Sequence, residues 1–259
     1  MTLRVTILGC GGSSGVPLVG NIWGNCDPAN PKNRRRRSSI LIEQNGTQIL
    51  IDTGPDLRDQ LLSANVKQLD AVVYSHSHAD HAHGIDELRA VNWLMRRTID
   101  CYADGATLAD LHQRFGYALV PIPEGGHFPR PALRPIEIRP EESFQVGSMT
   151  IRPFLQDHGY STTLGFRVGR FAYSTDVIRF DEAALAALED LDIWVVDCVR
   201  TDPPHAVHAH LPVTLDWIAR VRPRRAVLTH MNQTMDYDTL RRILPPGVEP
   251  AYDGMVLEL

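Results

Sequence analysis

The chain reads as an α/β protein on three observations. Short runs rich in β-branched and apolar residues are nearly continuous, as expected of strands buried on both faces. Segments of helical character fall between several of them, which is the pattern of strands gathered into sheets with helices packed outside. The 259 residues, 43% hydrophobic and 22% charged, suffice for a substantial core, and one domain over residues 1–259 is the simplest organisation.

In chain order the strand-like runs are Val5 to Leu8, Ser39 to Ile42, Gln48 to Ile51, Ala71 to Tyr74, Arg170 to Tyr173, Ile193 to Val196 and Ala226 to Leu228. Helical patterns occupy Pro55 to Ala64, Gly84 to Arg96, Asp181 to Glu189, Val213 to Arg220 and Tyr237 to Ile243. Between Tyr117 and Pro140, proline and glycine are frequent and no period is clear. That stretch reads as a long loop, whether a plain connection or the rim of an active site. No short repeat or low-complexity tract interrupts the chain.

Composition removes several classes. A formal net charge of -5 argues against a chain whose main work is nonspecific nucleic-acid binding. Cys10, Cys26, Cys101 and Cys198 are scattered without a C-x-x-C pair, so neither a disulfide framework nor a four-cysteine zinc site is expected, and the setting is expected to be cytoplasmic. The apolar run before Cys10 is too short for a secretory core of about 7 to 15 residues. No later run approaches the roughly 20 apolar residues of a membrane span, so no membrane partner is expected.

The opening "LGCGGSSGVP" is glycine-rich after a strand, yet it is not a dinucleotide fingerprint. Ser14 stands where the third glycine belongs, and Val16 and Pro17 open no helix. No lysine makes it a P-loop. Cys10 is expected as a small buried residue at a strand end, with Gly11 to Ser14 offering amides to a phosphate. Gly12 and Ser13 are accordingly counted with the substrate-binding residues.

The most informative stretch is "VVYSHSHADHAHG". In extended chain, residues two apart project to the same side, so His76 and His78 can converge on one ion. Asp80 and His81 follow at a turn into a helix, where they can face a second. Three more strand-like runs end in a metal-compatible group: His158, Asp176 and His230. Imidazole and carboxylate without thiolate suit zinc, manganese or iron, with no strong preference among them.

With these residues placed, the sequence resembles the metallo-β-lactamase superfamily, whose signature is H-x-H-x-D-H followed by a later His, an Asp and a final His. The similarity runs from "LGCGGSSGVP" through "IDTG" at 51–54 to "YDGM" at 252–255. It implies an αββα sandwich with the site at one edge. It also implies that His76, His78 and His158 hold one divalent ion, that Asp80, His81 and His230 hold a second, and that Asp176 bridges them. Two divalent ions outweigh two aspartates and a bridging hydroxide, so the site keeps net positive charge and favours an anionic ester. Two ions sharing a hydroxide can stabilise both oxygens of an in-line phosphoryl displacement. Asp80 is therefore counted among the catalytic groups as well as the ligands.

Within the superfamily the pattern is most similar to the PhnP-type phosphodiesterases, which open a cyclic ribose phosphate. The shared features are "GGSSGVP", "NRRRRSS" at 33–39, "LTH" at 228–230 and "YDGM". This implies a hydrolase of small or cyclic nucleotide-like or sugar phosphodiesters, with no stable nucleic-acid complex, and a homodimer, since family members often pair. An additional active-site histidine is expected in "DPPHAVHAHLPV", His210 first and His208 second, as general acid or phosphate donor. The family's structural zinc is not expected, because "WGNCDPAN" keeps only Cys26 and Gln233 stands three after His230. Arg34 to Arg37 read either as a solvated run or as phosphate contacts through Arg36 and Arg37. Three other readings stay open: a tRNA 3′-processing endonuclease, a thioester or lactam hydrolase, and a noncatalytic binding protein related to PqqB.

Overall fold

The computed structural model describes residues 2–122 and 128–259. Fourteen strands are present among them: β1 (Arg4–Gly9), β2 (Ser39–Gln44), β3 (Thr47–Ile51), β4 (Ala71–Val73), β5 (Ile99–Ala103), β6 (Leu133–Glu137), β7 (Phe144–Val146), β8 (Met149–Asp157), β9 (Thr162–Val168), β10 (Phe171–Ser174), β11 (Ile193–Asp197), β12 (Arg225–Thr229), β13 (Val248–Pro250) and β14 (Val256–Glu258). They form two seven-stranded sheets, ordered β14-β1-β2-β3-β4-β5-β6 and β13-β12-β11-β10-β9-β8-β7. The helices are α1 (Leu57–Ser63), α2 (Ala79–Ala82), α3 (Leu88–Met95), α4 (Gly105–Phe115), α5 (Glu182–Ala187), α6 (Leu211–Val221) and α7 (Tyr237–Ile243). Among the described residues no helix is long and apolar enough to cross a membrane.

Strand alternation divides the first sheet between two cores. Ile40, Ile42, Ile49, Ile51 and Val73 point inward and share one cluster with Phe154, Phe166, Tyr173 and Val195 of the second sheet. Leu41, Leu50 and Val72 point the other way, onto Leu57, Leu61, Leu88, Val91 and Leu111 of the outer helices. Leu215, Trp217, Ile218 and Leu240 cover the second sheet. The layers are thus helix, sheet, sheet, helix, and the apolar runs read from the sequence are the strands buried on both faces.

Several elements depart from the sequence reading. The stretch 117–140 is not wholly a loop, because β6 lies inside it and pairs with β5. As an edge strand with one neighbour, β6 accommodates Pro135, whose missing N–H faces no partner strand. Residues 123–127 of that expected loop lie outside the described residues. The strand-like run ending in His158 is β8, while strands β5, β7, β9, β13 and β14 and helix α4 are additional to the expected elements.

The sheets also fix where chemistry can gather. Strands β3 to β6 are mutually parallel, as are β10 to β13, and the two antiparallel steps from β8 through β9 leave β8 running with β10. In each sheet the carboxyl ends of these strands therefore open at one edge, the position at which α/β sheets carry their sites.

Candidate metal centre

Each expected ligand sits just past a strand end. His76 and His78 follow β4, and α2 begins at once with His78 as its cap, so one helical turn presents Asp80 and His81. His158 follows β8, Asp176 follows β10 and His230 follows β12. Asp176 and His230 hold positive φ angles of 53° and 57°, and Asp52, just past β3, holds 65°. A non-glycine residue in that region costs of order 1–3 kcal/mol, which the surrounding packing must offset. The wall behind α2 needs glycine twice. A Cβ on Gly54 would stand 2.3 Å from the Asp80 carbonyl oxygen, and one on Gly84 would stand 2.0 Å from the Gly54 carbonyl oxygen.

Two donor groups match the expected ligands: His76, His78 and His158 form one, and Asp80, His81, Asp176 and His230 the other, with the ligand atoms of each within 4.8 Å of one another. Two more overlap them through His208, which groups with His158 and Asp176 and with Asp197 and His230. The Asp176 carboxylate stands between the first two groups. Its Oδ1 is 3.9 Å from Nε2 of both His76 and His158, and its Oδ2 is 3.1 Å from His81 Nε2. His230 Nε2 lies 3.4 Å from Asp176 Oδ1 and 3.6 Å from Asp80 Oδ2.

The imidazoles are aimed by hydrogen bonds on their far nitrogens. His158 Nδ1 donates to the Val207 carbonyl at 2.8 Å, and His81 Nδ1 pairs with Asp52 Oδ2 at 2.8 Å. His76 Nδ1 meets Ser75 Oγ at 2.9 Å, and that hydroxyl donates to Asp52. Outer partners of this kind fix the tautomer and leave Nε2 to face a cation. The Nε2 atoms of His76, His81 and His230 are indeed buried without a hydrogen-bond partner. Orphaned imidazole nitrogens around a shared carboxylate fit divalent metal ions, and the all-nitrogen-and-oxygen donor set suits first-row metals.

Electrostatics give the same picture. Burial pushes the Asp176 carboxyl up, but the His230, His81 and His76 imidazoles outweigh it and hold it well below the usual range. Burial alone would lower His230, yet Asp176, Asp80 and Asp197 raise it to about 9. His81 is likewise raised, against its burial, by Asp176, Asp80 and Asp52. The carboxylates thus collect positive charge in a dry site, the role a bound cation fills when it displaces those protons.

His208 and His210 separate clearly. His208 is buried at the edge of both groups, its Nδ1 3.1 Å from Asp197 Oδ2 and 3.8 Å from Asp176 Oδ1, and its ring 4.6 Å from that of His230. His210 instead caps α6 and bridges to Arg200, outside every donor group found among the described residues. Of the two, the turn at 205–209 brings His208, and not His210, to the donor groups, while His210 occupies the N-cap position of α6. His205 stands beside His208, ring centroids 5.0 Å apart.

Asp52 and Asp197 are the residues that sequence reasoning missed. Both are fully buried acids directly ending or following apolar strands, in "LIDTG" and "VVDC", as Asp176 does in "YSTD". That shared position was the available signal.

The residues expected to bind substrate have mixed fates. Gly12 lies against His230, with a built Cβ 3.5 Å from its Cε1, but its amide is already donated to the Met231 carbonyl. Ser13 is exposed at the adjoining turn. Arg36 pairs with Asp253 and Arg37 with Asp56, both at 3.0 Å. Cys10 is buried past β1, its thiol 3.4 Å from Asp253 Oδ1.

Fold and site together define the class. The profile of the beta-lactamase superfamily domain matches residues 47–231, and the chain belongs to that family. Within it the chain resembles the PhnP proteins: the crystal structure of a new diphosphatase from the PhnP family superposes with a TM-score of 0.90 at 30% identity, covering 100% of this chain and 98% of that one. The octanoyltransferase of Porphyromonas gingivalis is 32% identical over 98% of this chain and 51% of its own length. The ribonuclease Z of Clostridium kluyveri is 26% identical over 74% of this chain and 56% of its own. The chain spans about half the length of these two relatives.

Proposed function

We propose that the protein is a divalent-metal-dependent phosphodiesterase acting on a small or cyclic nucleotide-like or sugar phosphodiester. The observation that carries this reading is the pair of donor groups joined through Asp176, with the Asp197–His208 pair at their edge. His76, His78 and His158 would hold one ion and Asp80, His81 and His230 the other, with Asp176 common to both. When bound, such ions supply a water of lowered pKa and positive charge facing the phosphoryl oxygens. The PhnP-family diphosphatase supports phosphoryl chemistry.

The protein's own residues supply the proton. Asp197 Oδ2 accepts from His208 Nδ1, which fixes the ring and turns Nε2 away from the carboxylate, where it can protonate a departing alkoxide. Zinc, manganese and iron all match the donors. The test is turnover by metal-reconstituted protein of bis(p-nitrophenyl) phosphate, 2′,3′-cyclic nucleotides, a diphosphate diester, a nitrocefin-type lactam, an acyl thioester and a precursor tRNA. The reading expects the small diesters to be preferred. Lactam or thioester turnover without diester turnover overturns it, and preference for the tRNA reassigns the chain to the endonuclease reading.

A further inference from the structure

The loop at 200–209 carries one more histidine to the rim of the site, and contacts on both sides hold it there. Before His205, Arg200 donates to the Pro204 carbonyl at 2.8 Å, and after it Ala209 N donates to the Val177 carbonyl at 2.8 Å. Between these anchors Val207 divides its backbone between two rings. Its carbonyl accepts from the expected ligand His158, and its N–H donates to His205 Nδ1 at 3.3 Å. Gly159 backs this turn with a φ of 79°, and a Cβ built on it would stand 2.8 Å from Val207 Cγ1, so a side chain there would push the loop away.

The contact to Nδ1 also fixes the tautomer. A ring nitrogen that accepts from an amide carries no proton, so the neutral His205 ring carries its hydrogen on Nε2. Burial, with His208 and Arg200 nearby, lowers its pKa from the ordinary imidazole value, which keeps the ring neutral at neutral pH. Among the described residues Nε2 has no hydrogen-bond partner, and His205 belongs to none of the donor groups. The ring centroid of the buried His208 is 4.6 Å from that of His230 and 4.8 Å from that of His158, and the half-buried His205 stands on its solvent side at 5.0 Å.

We infer that His205 is a specificity-determining residue whose Nε2–H donates to an oxygen of the leaving alcohol, just beyond the oxygen that His208 protonates. The inference rests on the phosphodiesterase reading and adds a preference to it. An alcohol with a second oxygen beside the one that leaves is favoured over a plain alkyl alcohol, which would strip water from this donor and leave it unpaired.

Binding of the products tests it without turnover. Calorimetric titration of the metal-loaded protein with glycerol 1-phosphate and with propane-1,2-diol 1-phosphate, which lacks one hydroxyl, should show the first binding about tenfold more tightly. His205→Ala should bring that ratio close to one, while His205→Gln, whose amide is also a neutral donor, should keep part of it. A wild-type ratio near one overturns the assignment. So does a ratio that survives His205→Ala, which would mean that the ring acts on the phosphoryl group or only on the loop. Turnover of the corresponding cyclic phosphates reports separately on the diesterase reading. If neither is opened while the binding ratio behaves as described, the His205 contact stands and the reaction is reassigned.

Discussion

His208 and Asp197 show how a single contact sorts neighbouring histidines. The 3.1 Å contact to a fully buried carboxylate gives His208 a fixed orientation that His210, at the N-cap position of α6 without a side-chain cap bond, lacks. His208→Ala should lower kcat by about 10²- to 10⁴-fold on diesters with alkoxide leaving groups while bound metal is retained. On p-nitrophenyl esters, whose leaving group needs no proton, the loss should be much smaller. His210→Ala should be near wild type on both, and the reverse ranking would return the acid role to His210. Asp176→Ala should lower bound metal and abolish turnover, read by metal analysis of dialysed protein. Unchanged stoichiometry and rate would remove the shared-ligand role. At this scale the ligand motif was legible because its geometry is local: one strand end and one helical turn carry four donors. Asp52 and Asp197 were not, since each acts on a histidine that its own sequence neighbourhood does not contain.

Among the elements, α7 is the one whose limits the sequence reading matched in full, and its cap ties two distant segments. Asp236 accepts from Thr239 N as the N-cap, and also from Asn33 Nδ2 at 2.8 Å and Asp27 N at 3.2 Å in the N-terminal loop. Although burial pushes the other way, these donors lower its carboxyl to about 2. A depressed carboxyl stabilises the fold above its unfolded-state value near 4, and that contribution is lost as pH falls from about 4 to 2. Asp236→Ala should cost about 1 kcal/mol, or roughly 2–4 °C in Tm, at neutral pH. The difference from wild type should shrink between pH 4 and pH 2. A difference that is constant with pH would mean the charge has no part in it. Elements that escaped the sequence reading did so for physical reasons. The edge strand β6 carries Pro135, and β7, three residues at the edge of the other sheet, has a single buried position. Both lack the continuous apolar run by which doubly buried strands announce themselves.

For the whole molecule, the metal centre joins the two sheets: His76, His78, Asp80 and His81 come from the first, and His158, Asp176 and His230 from the second. A ligand that binds only the folded state stabilises by about 4 kcal/mol at a free concentration a thousandfold above its Kd. Chelation should therefore lower Tm by about 10 °C or more, reversed by adding divalent metal, as read by thermal melts. An unchanged melt would mean that the sheets are held without the ions. The layered class was legible because doubly buried strands are nearly all apolar. Strand order was not, since β14 pairs with β1 from the far end of the chain.

The N-terminal loop is fastened in another way. The buried Arg35 guanidinium donates to the carbonyls of Asn232 and Met235, to Asn33 Oδ1 at 3.4 Å and to the Cys26 sulfur at 3.7 Å. Every partner but one is an oxygen, so the strut depends on neither a thiolate nor an ion. Three of its four contacts are to amide and carbonyl oxygens, which neither a chelator nor a thiol oxidant attacks, and only the Cys26 contact offers an oxidant a target.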